Sequence, residues 1–421
     1  MKLTRTQLNN VVIFFYVLIL CTYGIIKQFF GWNMITDLAG ALMLLVLLLG
    51  NNFRYSVPEK QKILFILVFL FTTMTLIVSL VGMYSPMHSF TGFRNYIFYL
   101  YFGLSVTLID NKKVLENALN FIMLLGVLVC LFGDLQFVFY DLLPEQLRRF
   151  PGAAIELVYG LGGVNPLRIN GMLENTIVFG NFAVTILIVI LGKLFAYKKK
   201  SKLDIISLVI VAASVILTFG RIAIIGGLFS IILTYIYCSR KNSLGRAFKI
   251  IIILVVVFGV VFAFFGDSIV VKRLIGEGTS TNVSNQIHME KAQNGLQAVL
   301  QNWLMGVGNG TQGYTRGNLT AIVSDGGWLS WALELGVPTT LVFFAVFFAF
   351  LVFSNKCKKE YTDEFNIWIN SAAVTTMVIF MFSSIFNSSY LARANYGISW
   401  LLIGLSLATN RLFEQNKKPG V

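Results

Sequence analysis

Runs of apolar residues long enough to cross a bilayer recur along this chain, broken by short polar stretches. A spanning helix needs roughly 20 mostly apolar residues, within a range of about 17–25. Reading for such runs predicts twelve, at about 8–26, 33–50, 63–84, 92–109, 117–140, 172–192, 205–220, 222–238, 250–266, 337–354, 365–385 and 394–410. The pattern predicts an all-α, polytopic integral membrane protein with about 12 transmembrane helices. The first run follows Lys2 and Arg5 but is not succeeded by a small-residue cleavage site, so it reads as a retained helix. Two connections are long, 141–171 and 267–336. With no internal repeat and no linker, residues 1–421 read as a single polytopic membrane domain, with 267–336 as a long external loop within it.

Composition agrees: 57% of residues are hydrophobic and 12% charged, where soluble domains carry about 25% charge. A soluble reading is excluded. The net charge of +14 suggests at first a partner such as nucleic acid. Placing the spans changes that. With the N-terminus inside, the cytoplasmic segments hold 22 of the 33 basic residues and eight of the 19 acids, and the rest of the chain balances at eleven each. The excess is therefore a positive-inside signal with both termini cytoplasmic, and no nucleic-acid partner is expected. The cytoplasmic set is mostly lysine. The other set is eight arginines and three lysines. A planar guanidinium suits bidentate phosphate recognition, so arginines on the face that should avoid positive charge point to an anionic ligand. The two histidines lie far apart and the four cysteines fall in spans or on the cytoplasmic side. No metal, no cofactor and no disulfide framework is expected.

Arg221 is the sharpest candidate, as the only charged residue between Ile205 and Ser239. A helix over 205–220 is ~24 Å long, shorter than the ~30 Å hydrocarbon core, which would leave Arg221 recessed from the external surface. An intramembrane charge is by default a functional-site hypothesis. The alternative is a snorkelling arginine or a structural pair with Asp134 or Glu174. Those two acids also stand near the external ends of their spans, where each could act in chemistry or only pair with an arginine.

The second long loop carries most remaining polar groups. Residues 285–304 are amphipathic, with Met289, Ala292, Leu296, Val299 and Trp303 at helical spacing. His288 and Lys291 share one neighbourhood of that helix. Gly306-Val307-Gly308-Asn309-Gly310 reads as a flexible turn rather than a dinucleotide fingerprint, since no strand precedes it. Asp325 then opens a segment, through Gly336, that suggests a short re-entrant helix before a Gly-Val-Pro break. Such a segment is tolerated at membrane depth only where it lines a protein cavity. Asp325 can cap this helix or face the same external space as Arg221.

Four stretches in order carry a family resemblance: Arg168-Ile169-Asn170-Gly171 leading into Asn181-Phe182-Ala183, Leu217-Thr218-Phe219-Gly220-Arg221, Leu304-Met305-Gly306-Val307-Gly308, and Asp325 to Gly336. In these the chain resembles the O-antigen ligase/polymerase superfamily of bacterial membrane glycosyltransferases. The resemblance covers roughly 160–350 and implies a GT-C-like fold in the bacterial inner membrane. Ligases of the family carry a histidine before the re-entrant helix, where this chain has Ser324-Asp325-Gly326-Gly327. That favours the polymerase (Wzy-type) branch, acting in lipopolysaccharide or other polysaccharide biosynthesis. The reaction implied moves a growing glycan from undecaprenyl pyrophosphate to a new undecaprenyl-pyrophosphate-linked oligosaccharide repeat, without a metal. Arg221, Arg168 and Arg316 would bind the pyrophosphate, and Asp325, Glu174 or His288 would serve as base. Besides membrane lipid, a chain-length regulator protein is an implied partner. Two other readings stay open: an O-antigen ligase delivering polymer to lipid A–core, and a transporter or flippase for a lipid-linked glycan.

Overall fold

The computed structural model describes residues 4–51, 57–81, 86–144, 147, 168–239, 279–312, 326–358 and 363–417. Within them the regular structure is entirely helical. In chain order the helices are α1 (Arg5–Phe30), α2 (Ile35–Gly50), α3 (Lys62–Val81), α4 (Pro86–Ser105), α5 (Lys112–Val138), α6 (Thr176–Ala196) and α7 (Lys202–Leu217). They continue as α8 (Arg221–Cys238), α9 (Thr279–Gln301), α10 (Gly327–Lys358), α11 (Glu364–Ser384) and α12 (Arg393–Lys417). Eleven of the twelve expected spans coincide with one of these helices. The span expected at 250–266 lies outside the described residues.

Seven of the helices, α1, α3, α5, α6, α8, α10 and α11, are long and apolar enough to cross a membrane. The protein is a polytopic membrane protein. α4 and α12 fall short of that standard for a physical reason. They are interior helices packed on each other, so neighbouring protein rather than lipid surrounds their polar residues. Arg94 and Asn95 on α4, and Asn395, Ser399, Ser406, Thr409 and Asn410 on α12, are all buried. The two helices cross at Gly103 and Gly404, where a Cβ on Gly404 would stand 2.1 Å from the Gly103 carbonyl oxygen. Small residues at a crossing allow this approach, and packing there replaces the hydrophobic drive that lipid does not supply. α6, buried along nearly its whole length, packs on α5, α7, α8, α11 and α12. The lipid-facing surface is apolar, as with Leu38, Leu42, Leu45 and Leu49, which recur on one exposed stripe of α2.

Polar pairs join the interior helices. Asn410 donates to Asn370 Oδ1 at 3.0 Å, Asn370 donates back to Asn410 Oδ1 at 3.2 Å, and Ser406 donates to Asn370 Oδ1 at 2.7 Å. Interhelical hydrogen bonds of this kind contribute about 0.6 kcal/mol on average. Asn410→Leu is therefore expected to lower the thermal unfolding midpoint in detergent by a few degrees. A midpoint that stays level or rises would show that the α11–α12 contact does not depend on this network.

Ion pairs separate the two ends of the bundle. At one end lysines dominate: Lys193 pairs with Asp204 at 2.9 Å, Lys60 with Glu414 at 3.0 Å, and Lys112 with Asp363. At the other end lie Arg168, Arg221, Arg94 and Arg393, with the 306–312 loop. This is the division that the alternating spans imply.

Candidate functional site

The chain enters α6 through a fixed turn. Asn175 caps the helix by accepting from the Val178 N–H at 2.9 Å, as an Asn at this position commonly does. Gln136 on α5 donates to the Gly171 carbonyl at 3.1 Å. At the start of this segment, Arg168 is buried at 5% exposure, and its Nε donates to the Thr218 carbonyl at 2.8 Å. The Ile169 N–H also reaches the Leu217 carbonyl at 3.4 Å. Segment 168–169 is thus laid along the end of α7.

Thr218, Phe219 and Gly220 reverse the chain between α7 and α8. Thr218 Oγ1 donates to the Val215 carbonyl at 2.7 Å and accepts from the Gly220 N–H at 3.2 Å. Between them Phe219 has φ 49°, the sole non-glycine in the left-handed region among the described residues. For a bulky side chain this costs on the order of 1–2 kcal/mol, and such strain clusters at functional sites. Phe219 is held there by burial and by its ring contact with Phe137 of α5. Ser214, one turn earlier on α7, donates to Asp134 Oδ1 at 2.7 Å, so Asp134 ties α5 to the same bend.

Arg221 follows as the first residue of α8. The Arg168 guanidinium lies beside Gly220, with Nη2 at 4.0 Å from where a Cβ would stand. Two of the expected pyrophosphate ligands therefore meet at one bend, although 53 positions separate them in sequence. Behind them, the N-terminus of an 18-residue helix adds partial positive charge and N–H groups without intrahelical partners. The combination favours an anion.

Glu174 points into other company. Its Oε1 lies 3.4 Å from Lys27 Nζ on α1. Lys27 is well exposed, so this pair is screened by solvent and contributes little to stability.

The third element is a buried knot that joins two of the sequence motifs. Glu334 is wholly buried and accepts from the Tyr96 hydroxyl at 2.7 Å and the Gln312 N–H at 2.6 Å. The Val307 N–H donates to the Leu333 carbonyl, and the Val337 N–H to the Trp303 carbonyl, each at 2.7 Å. Asn309 reaches Ser79 of α3 at 2.9 Å. The expected flexible turn is instead packed, and the N–H groups of Gly306 and Val307 are spent on the Asn302 and Leu333 carbonyls. Gly306, Gly308, Gly310 and Gly336 all have positive φ, and the break at Gly336 divides α10 where the sequence expected a short helix to end.

Glu334 lies inside the segment from Asp325 to Gly336 that the sequence singles out, but its anchoring of the glycine loop is visible only in the structure. A carboxylate within an apolar run was the available signal. The φ of Phe219 had no signal. The apolar stripe expected at 285–304 is only partly covered: Val299 packs with Leu333, while Met289, Leu296 and Trp303 are exposed. The backbone of His288 lies in α9, and its side chain is outside what is described. Arg316 and Asp325 also lie outside the described residues.

Residues 206–344, about a third of the chain, match a family model described as O-antigen ligase. The match runs from α7 through the Arg221 bend, α8, α9 and the glycine loop into α10. It contains Arg221, His288, Arg316, Asp325 and Glu334, and leaves Arg168 and Glu174 outside. No curated protein matches the chain. The match supports the O-antigen ligase/polymerase superfamily, whose members act in polysaccharide assembly, and does not separate the two activities.

Proposed function

We propose that this protein is a polysaccharide polymerase of the inner membrane that extends a glycan carried on undecaprenyl pyrophosphate. The observation that carries the reading is the meeting of Arg168 and Arg221 at a strained bend on the N-terminus of α8. In the reaction, the bond from the donor's anomeric carbon to the pyrophosphate oxygen breaks. A bond forms from that carbon to an acceptor hydroxyl, whose proton passes to a base. Negative charge builds on the leaving pyrophosphate, and preorganised guanidinium groups stabilise it where it develops. Arg316 is a third candidate for that role. These cations supply the neutralisation without a metal ion, and transfer is expected to continue in EDTA.

Asp325 is the first candidate for base, with Glu174 and His288 behind it. Asp325→Asn is expected to lower transfer by about 10²–10⁴-fold, the usual contribution of general-base catalysis, with donor binding retained. An unchanged rate would move the role to Glu174 or His288.

The choice of polymerase over ligase within that reading rests on Asp325 standing where related ligases carry a histidine. The second reading, transfer of finished polymer to lipid A–core, is favoured by the description of the matched family. Deleting the gene separates them: single-repeat-capped acceptor indicates a polymerase, and bare acceptor a ligase. A transporter or flippase would leave repeats unable to cross the membrane. The excess of lysines at the end opposite Arg221 supports an orientation with both termini cytoplasmic. A chain-length regulator is the protein partner this reading implies.

A further inference from the structure

A second group of charges gathers at the Arg221 end, where α1, α2, α4 and α12 converge beside Glu174. Arg94 Nη1 lies 3.7 Å from Asp37 Oδ2, and the Tyr99 hydroxyl donates to Asp37 Oδ1 at 3.0 Å. Arg94 is only 8% exposed, and its buried Nε has no hydrogen-bond acceptor among the described residues. Arg393 stacks over the Tyr23 ring with its guanidinium carbon 4.7 Å from the centroid, and donates to the Tyr23 hydroxyl and the Asn33 carbonyl. Lys27 takes Glu174, as described above.

Among the described residues, the charges in this group do not cancel. Lys27, Arg94 and Arg393 face Asp37 and Glu174. Each carboxylate already has its own contact cation, while the hydrogen bonds of Arg393 go to neutral oxygens. Next to this cationic surplus, the end of α1 and the α1–α2 connection expose Phe29, Phe30, Trp32 and Met34. A charged head beside exposed aromatic and apolar side chains suits an amphiphile whose head is anionic.

We propose that this group is a second lipid-pyrophosphate site, holding the acceptor substrate with its head on Arg393 and Lys27 and its chain along Phe29, Phe30 and Trp32. The inference rests on the polymerase reading, in which both substrates carry a pyrophosphate and the Arg168–Arg221 bend takes one of them. The two sites are joined by one short segment. Arg168 sits at one end of 168–175 against the bend, and Glu174 sits near the other against Lys27. Fully extended, the six steps between them span at most ~22 Å, so two bound heads would lie within reach of a shared reaction centre. Glu174 then borders the acceptor site.

The test counts lipid pyrophosphates on the full-length protein in detergent by native mass spectrometry, with farnesyl pyrophosphate as probe. Wild type is expected to bind two, Arg221→Gln one, and Arg393→Gln one. Charge-assisted hydrogen bonds to phosphate are strong enough that Arg393→Gln should weaken its copy by about tenfold or more. Lys27→Gln is the companion variant, because Lys27 is exposed and its replacement leaves the helix packing intact. It should weaken the same copy by about threefold. One wild-type copy, lost in Arg221→Gln and kept in both Arg393→Gln and Lys27→Gln, would overturn the second site while leaving the polymerase reading standing. Absence of any binding would overturn both. Equal retention of phosphatidylglycerol at the Arg393-dependent position would make it a phospholipid site and overturn the assignment to acceptor.

Discussion

Replacing Arg221 with alanine is expected to lower glycan transfer by about 10²–10³-fold, the scale seen when one preorganised charge-stabilising donor is removed. The loss should appear in kcat, because charge on the pyrophosphate grows as the glycosidic bond breaks. Arg221→Lys should recover only part of it, since an ammonium keeps the charge but not the planar fork. Folding should be preserved: Arg221 is half-buried at the first position of α8, and the bend before it is held by Thr218 and Phe219. Rates of purified, correctly folded variants on a lipid-linked donor check this. Full chain extension by Arg221→Ala would remove its role in leaving-group stabilisation.

Gly336→Ala should produce the largest structural effect. Gly336 has φ 77°, a region L-residues enter at a cost. A Cβ there would stand 2.3 Å from the Leu304 carbonyl oxygen and 2.7 Å from the Leu304 carbonyl carbon. These are backbone atoms, and no rotamer change relieves the clash. The opposing Gly306 is equally confined, its Cβ position 2.5 Å from the Leu333 carbonyl oxygen. The two glycines thus let the glycine loop and the break in α10 lie backbone to backbone. Strain and overlap together should cost ~3 kcal/mol or more, read as reduced yield of folded protein and a clearly lower unfolding midpoint. Wild-type stability in Gly336→Ala would mean that loop and helix do not meet as described.

Much of the scaffold was legible from hydropathy and from the lysines and arginines, because bilayer thickness fixes helix length and charge fixes alternation. The 16 residues expected before Arg221 appear as the 16-residue α7, displaced by three positions to make room for the bend. The site was legible only in part. Leu-Thr-x-x-Arg located the bend, and Arg168 was picked for its motif, but their contact joins positions 50 apart through a carbonyl. No local pattern records such a contact. The partner of Glu174 was sought among arginines and is Lys27, 147 positions away. Arg393 meets Tyr23 across 370 positions, a pairing set by how α1 and α12 pack. Backbone hydrogen bonds and close glycine contacts leave no mark in composition, which is why the packed glycine loop read as a flexible turn.

In the proposed function, Arg168 and Arg221 hold the pyrophosphate of a glycan donor during chain extension. This role is tested most directly by incubating the purified protein with an undecaprenyl-pyrophosphate-linked repeat and resolving products by length. A ladder of multiples of the repeat is expected, with one undecaprenyl pyrophosphate released per bond, and with Arg221→Ala both should form about 10²–10³-fold more slowly. A repeat that stays single with wild-type protein, or a ladder that persists undiminished in Arg221→Ala, would contradict it.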